Sequence, residues 1–276
     1  MYPIVNKRIL NPLVTWMEIE APFIARKVKA GQFVILRVDE RGERIPLTVA
    51  AHDEQAGTIT IIFQKVGKTT LRLDELNVGD AILDVVGPLG RATETSGIKR
   101  VAVIGGGVGC AIAYPEARAF LENGAEVDMI VGFRNKNIVM LEEEFRAASS
   151  RLFVMTDDGS YGEKGFVTSK LQQLLDEGNY YDTVMAIGPL PMMRAVANVT
   201  KDRGIKTIVS MNPIMIDGTG MCGGCRLTVG GEVKFACVDG PEFDAHQVDW
   251  EEAMHRLGQY KEEEHQCRSG LFGKAK

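Results

Sequence analysis

The sequence predicts a β-barrel followed by an α/β domain: an antiparallel barrel, then a doubly wound parallel sheet, then a small C-terminal segment rich in glycine and cysteine. Short strands between turns, such as residues 13–19 and 58–63, continue to about residue 91 and are typical of a small barrel. Near residue 97 the pattern changes to apolar strands that alternate with helical stretches, which predicts a parallel sheet. After residue 210 the helical rhythm stops. We therefore divide the chain into residues 1–96, 97–210 and 211–276.

The middle segment carries the helices and strands that predict its open sheet. Strands are predicted at residues 101–104, 127–131, 152–155, 183–187 and 208–209, with helices at about 111–123, 141–148, 167–176 and 191–202. A last amphipathic helix is predicted at about 250–260. Sheets of this kind bind ligands beyond the carboxyl ends of their strands.

Length, composition and charge exclude several classes of protein. A chain of 276 residues that is 45% hydrophobic can bury a substantial core, which excludes a disordered protein. The net charge is -5 and the Lys and Arg residues are scattered, so there is no basic footprint for nucleic acid. The first thirty residues lack the pattern of a targeting peptide, and no apolar run is long enough to span a bilayer. We expect a soluble cytoplasmic protein whose partners are neither nucleic acid nor membrane.

A glycine-rich turn follows the first strand of the middle segment. It consists of Gly105, Gly106, Gly107, Val108 and Gly109, and a predicted helix comes next. N-H groups at the start of that helix can face a pyrophosphate, which a side chain would keep away. Tight packing alone also explains such a turn. A second turn, Gly188-Pro189, follows another strand and is expected beside the first, so the two turns together favour a dinucleotide site.

Two segments of the barrel carry candidate ligand-binding groups. The first consists of Arg44, Pro46, Leu47 and Thr48 at the start of a strand. A cation, a rigid proline and a hydroxyl in this order can hold a flavin and its phosphate. The second consists of Gly67, Thr69 and Thr70, which open a predicted helix with N-H groups and hydroxyls that can bind an anion. By itself the second pattern favours an ordinary helix cap.

Three of the five cysteines crowd into one short segment, which suits metal ligation in a reducing compartment better than a disulfide framework. Cys222 and Cys225 are separated by two residues among glycines, and Cys237 follows from a predicted hairpin strand. Asp217, four residues before Cys222, is the best placed oxygen donor for a fourth ligand. An iron-sulfur cluster ranks first, and a structural zinc site with three Cys and one Asp is the alternative.

Taken together, these residues resemble the ferredoxin-NADP reductase superfamily over nearly the whole chain. More narrowly, they are similar to the electron-transfer subunits of class 1B dihydroorotate dehydrogenase and to the small (alpha) subunits of NADH-dependent ferredoxin:NADP oxidoreductase (Nfn), also described as sulfide dehydrogenase. The dihydroorotate dehydrogenase subunits use four cysteines, and here Asp217 takes the place of the first. A [2Fe-2S] cluster with one Asp and three Cys ligands is a property of the Nfn subunits. The resemblance therefore favours Nfn.

The resemblance also assigns cofactors to the motifs of the first two segments. The set at 44–48 matches a flavin-binding strand and the set at 67–70 a flavin-phosphate loop, in which Thr69 replaces a common glycine. Gly105 to Gly109 and Gly188-Pro189 match nicotinamide-nucleotide loops, with Ile187 in place of a frequent cysteine. The implied cofactors are FAD, a [2Fe-2S] cluster and NAD(H). Arg134 and Lys136 oppose the choice of NAD(H), because cations after the second strand can attract a 2'-phosphate.

The activity implied by the resemblance is electron transfer within a heterodimer. The large partner subunit would carry another FAD and [4Fe-4S] clusters and would divide electrons from NADPH between ferredoxin and this chain. This chain would exchange hydride between NAD(H) and FAD and pass single electrons through its cluster to the partner. The cofactors carry that chemistry, so no catalytic side chain is predicted. The alternatives are the dihydroorotate dehydrogenase role and a non-catalytic nucleotide-binding module with a zinc knot.

Overall fold

The computed structural model describes residues 1–260 and 262–266. Its first seven strands are β1 (Tyr2–Asn11), β2 (Val14–Glu20), β3 (Phe33–Arg37), β4 (Arg44–Asp53), β5 (Thr58–Gln64), β6 (Ala81–Ile82) and β7 (Asp84–Leu89). Two short helices, α1 (Pro22–Ala25) and α2 (Lys68–Glu75), interrupt them. β-Branched and other apolar residues dominate β3 and β5, and both strands are buried along most of their length.

The seven strands form one antiparallel sheet in the order β6-β1-β2-β5-β4-β3-β7. The two edge strands, β6 and β7, are separated along the chain by Leu83, whose N-H donates to the carbonyl of Val38 at 3.2 Å. The edges of the sheet therefore meet, which removes unpaired edge groups, as barrel closure does. This confirms the predicted antiparallel barrel.

The second sheet contains the parallel strands of the α/β unit. Its strands are β8 (Arg100–Gly106), β9 (Glu126–Phe133), β10 (Arg151–Thr156), β11 (Glu163–Lys164), β12 (Thr183–Ile187) and β13 (Lys206–Ser210). Its helices are α3 (Gly109–Glu122), α4 (Glu142–Ala147), α5 (Val167–Asp176) and α6 (Leu190–Lys201). All of β12 and most of β8 and β9 are buried, because helices cover both faces of the sheet.

The strand order β11-β10-β9-β8-β12-β13-β16 confirms the doubly wound sheet, where β16 (Glu242–Asp244) adds an antiparallel edge. Between the neighbouring strands β8 and β12 the direction in which the chain adds strands to the sheet reverses: β9 follows on one side and β13 on the other. At such a switch point the turns after the two strands diverge and leave a crevice for a ligand. The predicted glycine-rich turn and the Gly188-Pro189 turn follow these two strands.

The C-terminal segment is built on a hairpin of β14 (Arg226–Val229) and β15 (Glu232–Phe235), followed by β16 and α7 (Trp250–Leu257). Asp249 caps α7, because its Oδ1 accepts from the N-H of Glu252 at 2.9 Å. The helix ends at Leu257, three residues before its predicted end. Cys267 lies outside the described residues. Among the residues described, no helix has both the length and the apolar character that crossing a bilayer requires.

Candidate functional site

The loop between β13 and β14 brings the clustered cysteines together. Cys225 and Cys237 are each 2% exposed, whereas Cys222 is exposed. Cys237 lies two residues beyond β15, so the hairpin carries it back to the loop, although not from within the strand as predicted. Burial raises the pKa of the Cys237 thiol to about 11, with a further contribution from its hydrogen bond with Cys225. These two thiols are therefore direct neighbours.

Backbone N-H groups of the loop point at the sulfur atoms. The N-H of Gly224 lies 3.5 Å from the Sγ of Cys222, and this contact, with the N-H of Asp217, lowers the pKa of the Cys222 thiol. The N-H of Gly220 faces the sulfur of Cys237. Iron-sulfur clusters are held by thiolates, and hydrogen bonds to their sulfurs tune them. Three thiols, two of which have amide donors aimed at their sulfurs, fit such a cluster.

The carboxylate of Asp217 caps its own turn. Its Oδ2 accepts from the N-H groups of Thr219 at 2.9 Å and Met221 at 3.4 Å, and from the Thr219 hydroxyl. These bonds, the hydroxyl first, lower the pKa of Asp217. Its Oδ1 takes no part in those bonds. Within the described residues, no three His, Cys, Asp or Glu side chains converge on a point suited to a single metal ion.

The cluster loop lies against the barrel beside the predicted flavin strand. The Nε of Arg44 donates to the carbonyl of Ile216 at 2.7 Å, one residue before Asp217. A Cβ added at Gly218 would lie 2.8 Å from Ile35 Cδ1 and 2.7 Å from Leu89 Cδ1, so only glycine allows this approach to β3 and β7. The first residue of the predicted flavin-binding set therefore touches the cluster loop directly.

The predicted flavin-binding set occupies the start of β4. Residues 44–48 are half-buried, whereas the strand becomes fully buried at Val49. Ile45 and Leu47 pack against the barrel core, so Arg44, Pro46 and Thr48 share the opposite face. Three adjacent side chains on one accessible face suit a flat ligand laid along the strand.

The segment around Gly67 behaves as a helix cap, as the simpler interpretation predicted. The hydroxyl of Thr70 accepts from the N-H groups of Val66 at 3.0 Å and Gly67 at 3.1 Å. Thr69 is buried, and its hydroxyl donates to Glu43 Oε2 at 3.3 Å. The hydroxyls of Thr69 and Thr70 are thus engaged within the protein in this arrangement, and the assignment of this segment to an anion stays a prediction.

Close packing explains most of the glycines in the first nucleotide turn. A Cβ at Gly109 would lie 2.4 Å from the carbonyl oxygen of Ile187, and one at Gly106 would lie 2.4 Å from the sulfur of Met192. A Cβ at Gly105 would lie 2.6 Å from Cys110 Cα. Only Gly107, with φ +59, has open space around it. The two turns therefore press against each other, and room for a ligand requires glycine mainly at Gly107.

Charged residues beyond β9 and β10 lie beside this crevice. Arg134 and Lys136 are both exposed, and the Lys136 ammonium lies 5.8 Å from the centre of the Tyr161 ring. Asp158 approaches the same place, since its N-H donates to the carbonyl of Arg134 at 3.4 Å. Hydrogen bonds from Ser160 lower the pKa of Asp158 and keep it ionised. Sequence reasoning missed Asp158, although the Asp-Asp-Gly-Ser run after a predicted strand was available as a signal.

Two families match separate parts of the chain. Residues 212–249 match the iron-sulfur cluster binding domain of dihydroorotate dehydrogenase B, and residues 103–198 match the oxidoreductase NAD-binding domain. The first match includes all three clustered cysteines and the turn of Asp217. The second begins within β8 and ends within α6, and so includes both glycine turns.

Similar proteins cover nearly the whole chain. The dihydroorotate dehydrogenase B (NAD(+)) electron transfer subunit homolog of Thermotoga maritima is 46% identical, over 89% of this chain and 86% of its own. The corresponding electron transfer subunit of Geobacillus thermodenitrificans is 33% identical over 89% and 96%. A solved chain of the NADH-dependent reduced ferredoxin-NADP oxidoreductase, studied for flavin-based electron bifurcation, is 42% identical with a TM-score of 0.93 and 98% coverage of both chains.

Proposed function

We propose that this chain is a flavin and iron-sulfur electron-transfer subunit, because it belongs to the family of dihydroorotate dehydrogenase B electron transfer subunits and their homologues. It exchanges hydride between NAD(H) and FAD and passes single electrons through a [2Fe-2S] cluster. The observation that carries this proposal is the bond from Arg44 to Ile216, which joins the flavin strand to the cluster loop. A flavin held along β4 would therefore lie beside the loop that would hold the cluster.

The electron-bifurcating NADH-dependent ferredoxin:NADP oxidoreductase is the assembly we assign. The solved chain of that enzyme superposes over 98% of this one, and an Asp stands at position 217 where the four-cysteine sites have Cys. The electron transfer subunit of dihydroorotate dehydrogenase is the second candidate, favoured by the match to its iron-sulfur domain.

The chain's own residues position the cofactors. Cys222, Cys225 and Cys237, with Asp217, would hold the cluster, which supplies one-electron transfer when bound. Strand β4 would orient the flavin on the face of Arg44 and Thr48, and the paired glycine turns would receive the nucleotide pyrophosphate. Since hydride transfer and electron transfer belong to the cofactors, the protein's contribution is alignment and electrostatics.

A large partner subunit completes the assembly, and we propose that it carries a second FAD and [4Fe-4S] clusters and passes electrons to ferredoxin. Exposed apolar side chains surround the cluster loop: Met221 is 88% exposed, Ile216 52% and Ile214 43%. Exposed apolar side chains in the loop of an exposed candidate ligand, Cys222, are suited to contact with a protein that takes the electrons.

We also propose three functional units and a cytoplasmic location. Residues 1–96 would bind FAD, 97–210 the nucleotide and 211–276 the cluster. We place the protein in the cytoplasm because Cys222, Cys225 and Cys237 stand as free thiols, which a reducing compartment preserves.

An absorption spectrum of the purified protein tests the proposed function. We expect flavin bands together with broad visible absorption that bleaches on reduction, because both FAD and the cluster absorb visible light. A colourless protein that contains zinc would contradict the proposal and favour the nucleotide-binding module with a zinc knot.

NADH is expected to reduce the flavin with a higher specificity constant than NADPH. Asp158, held ionised beside Arg134, repels a 2'-phosphate and offsets the attraction of Arg134 and Lys136. Steady-state diaphorase assays with both nucleotides measure this preference. A higher kcat/KM for NADPH would reverse the assignment and would identify the two cations as its cause.

A further inference from the structure

Two glutamates meet at the junction of the three predicted units. Glu116 lies on α3 and is 1% exposed, and Glu242 lies in β16. The carboxyl of Glu116 is near enough to Glu242 for the charge of one to act on the other, and the N-H of Gly31 also faces it. The hydroxyl of Thr93 donates to Glu242 Oε1 at 2.6 Å. The barrel, the nucleotide unit and the cluster segment thus all contribute to one polar cluster.

The polar cluster around Glu116 and Glu242 is closely packed, and it contains no cation among the described residues. A Cβ at Gly31, with φ +82, would lie 2.4 Å from Thr93 Oγ1 and 2.8 Å from Glu242 Oε1. Glu116 Oε2 is buried without a hydrogen-bond partner among the described residues. Among the described residues, no Lys, Arg or His forms an ion pair with Glu116 or Glu242. The nearby Arg118 pairs instead with Glu122, and Arg91 pairs with Asp239.

Two buried carboxyls in such a place cannot both be ionised without a large cost, so at least one of them holds a proton. Burial, and then the charge of Glu242, raises the pKa of Glu116 well above its ordinary value. Burial raises the pKa of Glu242 to about 7, against a smaller opposing effect of the Thr93 hydroxyl. Proton binding at the pair therefore responds to small electrostatic changes near neutral pH.

The turn that faces the pair lies beside the predicted flavin strand and near an open cavity. The N-H of Val49 donates to the carbonyl of Gln32 at 3.1 Å, and Phe33 pairs with Thr48, so the Gly31 turn runs alongside the end of the flavin-binding set. Ala30 and Pro115, the chain neighbours of Gly31 and Glu116, line an open cavity of about 340 Å³ together with Val49 of β4. Among its charged lining residues cations outnumber anions: Arg26, Lys27, Lys29 and Arg118 against Glu54 and Glu122.

We propose that Glu116 and Glu242 form a redox-linked proton site, which binds a proton from water when the flavin beside β4 is reduced and releases it when the electrons leave. This rests on the proposed function, because it requires FAD along β4. Hydride from NADH carries two electrons and one proton, so FAD becomes FADH⁻, NADH becomes NAD⁺, and no proton is taken from solvent. The added negative charge raises the proton affinity of the pair. Proton uptake there, of at most one proton per flavin, offsets part or all of that charge.

Proton uptake on reduction tests the proposal. Holoprotein with a verified FAD spectrum is reduced anaerobically by one equivalent of NADH in weak buffer with a pH indicator. At pH 7 the wild type is expected to take up a fraction of a proton per FAD, and none well above the pKa of the pair. Glu116→Gln and Glu242→Gln should lower the uptake by at least about two-fold. Glu122→Gln, on the exposed end of the same helix, should match the wild type.

The outcomes separate this proposal from the proposed function. No uptake by a wild type that contains FAD, or equal uptake in all variants, overturns the proton site alone, whereas absence of FAD contradicts the proposed function. Thermal unfolding against pH gives a second readout. A raised pKa means that the folded state binds more protons, so the stability of the wild type falls as pH rises from about 4.5 towards and past 7. Glu242→Gln should flatten that fall, and an unchanged profile would also overturn the site.

Discussion

Replacing Cys237 with alanine is expected to remove the iron-sulfur cluster completely while the flavin remains. The Cys237 thiol is buried, contacts the Cys225 thiol and receives the N-H of Gly220, and among the described residues only Cys222 and Cys225 supply other thiols to this loop. Loss of one of three thiolates leaves iron without enough ligands. We expect the same loss for Cys222→Ala and Cys225→Ala.

Iron content and the visible spectrum measure this effect, and the rate of flavin reduction by NADH should stay within about two-fold of the wild type, because the proposed flavin and nucleotide sites lie on other elements. Cys110→Ala is the matched control. It removes a buried thiol on α3 that hydrogen-bonds weakly to the carbonyl of Gly132 and lies outside the cluster loop, so the iron content should not change. Full cluster content in any of the three loop variants would remove that cysteine from the ligand set.

Substitution of Asp217 is expected to change the cluster in a way that separates ligation from turn capping. Asp217→Asn keeps an oxygen that can accept from the N-H groups of Thr219 and Met221 but removes the carboxylate ligand, so the cluster should become labile. Asp217→Cys loses the cap but supplies a thiolate. It should retain a [2Fe-2S] cluster with a lower midpoint potential, since thiolate donates more electron density to iron. Asp217→Ala loses both functions and should be the least stable of the three.

Electron paramagnetic resonance of the reduced protein and a potentiometric titration distinguish these cases, with flavin reduction by NADH as the measure of intact folding. A wild-type signal and potential in Asp217→Asn would show that the side chain only caps its turn. The preference for the bifurcating oxidoreductase over the dihydroorotate dehydrogenase subunit would then lose the support of this residue.

Local sequence patterns were sufficient to predict most elements of the nucleotide unit. Helix α5 and strand β12 begin and end at the predicted residues, because apolar periodicity and flanking turn residues are properties of the segment itself. The interpretation of the glycines was less complete. A glycine-rich turn cannot reveal whether a ligand or a neighbouring turn excludes the side chain, and at Gly109 it is the carbonyl of Ile187.

In the functional segments too, local sequence patterns predicted some features and not others. Spacing alone brought Cys222 and Cys225 into one candidate site and identified Asp217 as its nearest oxygen donor. The use of the Asp217 carboxylate as a cap, and of the Thr70 hydroxyl for α2, depends on where individual N-H groups point. Competition between capping and ligand binding is therefore decided by backbone geometry that residue identity does not specify.

By itself the sequence determined the order of barrel, parallel sheet and cysteine loop, because hydrophobic period and glycine or cysteine spacing act over a few residues. Only the tertiary structure decided which distant groups meet: Arg44 with the carbonyl of Ile216, and Glu116 with Glu242. The two members of each pair are more than a hundred residues apart along the chain. Closure of the barrel, the crossover connections of the parallel sheet and the antiparallel edge strand β16 bring them together. The proposed electron route and proton site both depend on these contacts, since charge and hydrogen bonds act through space.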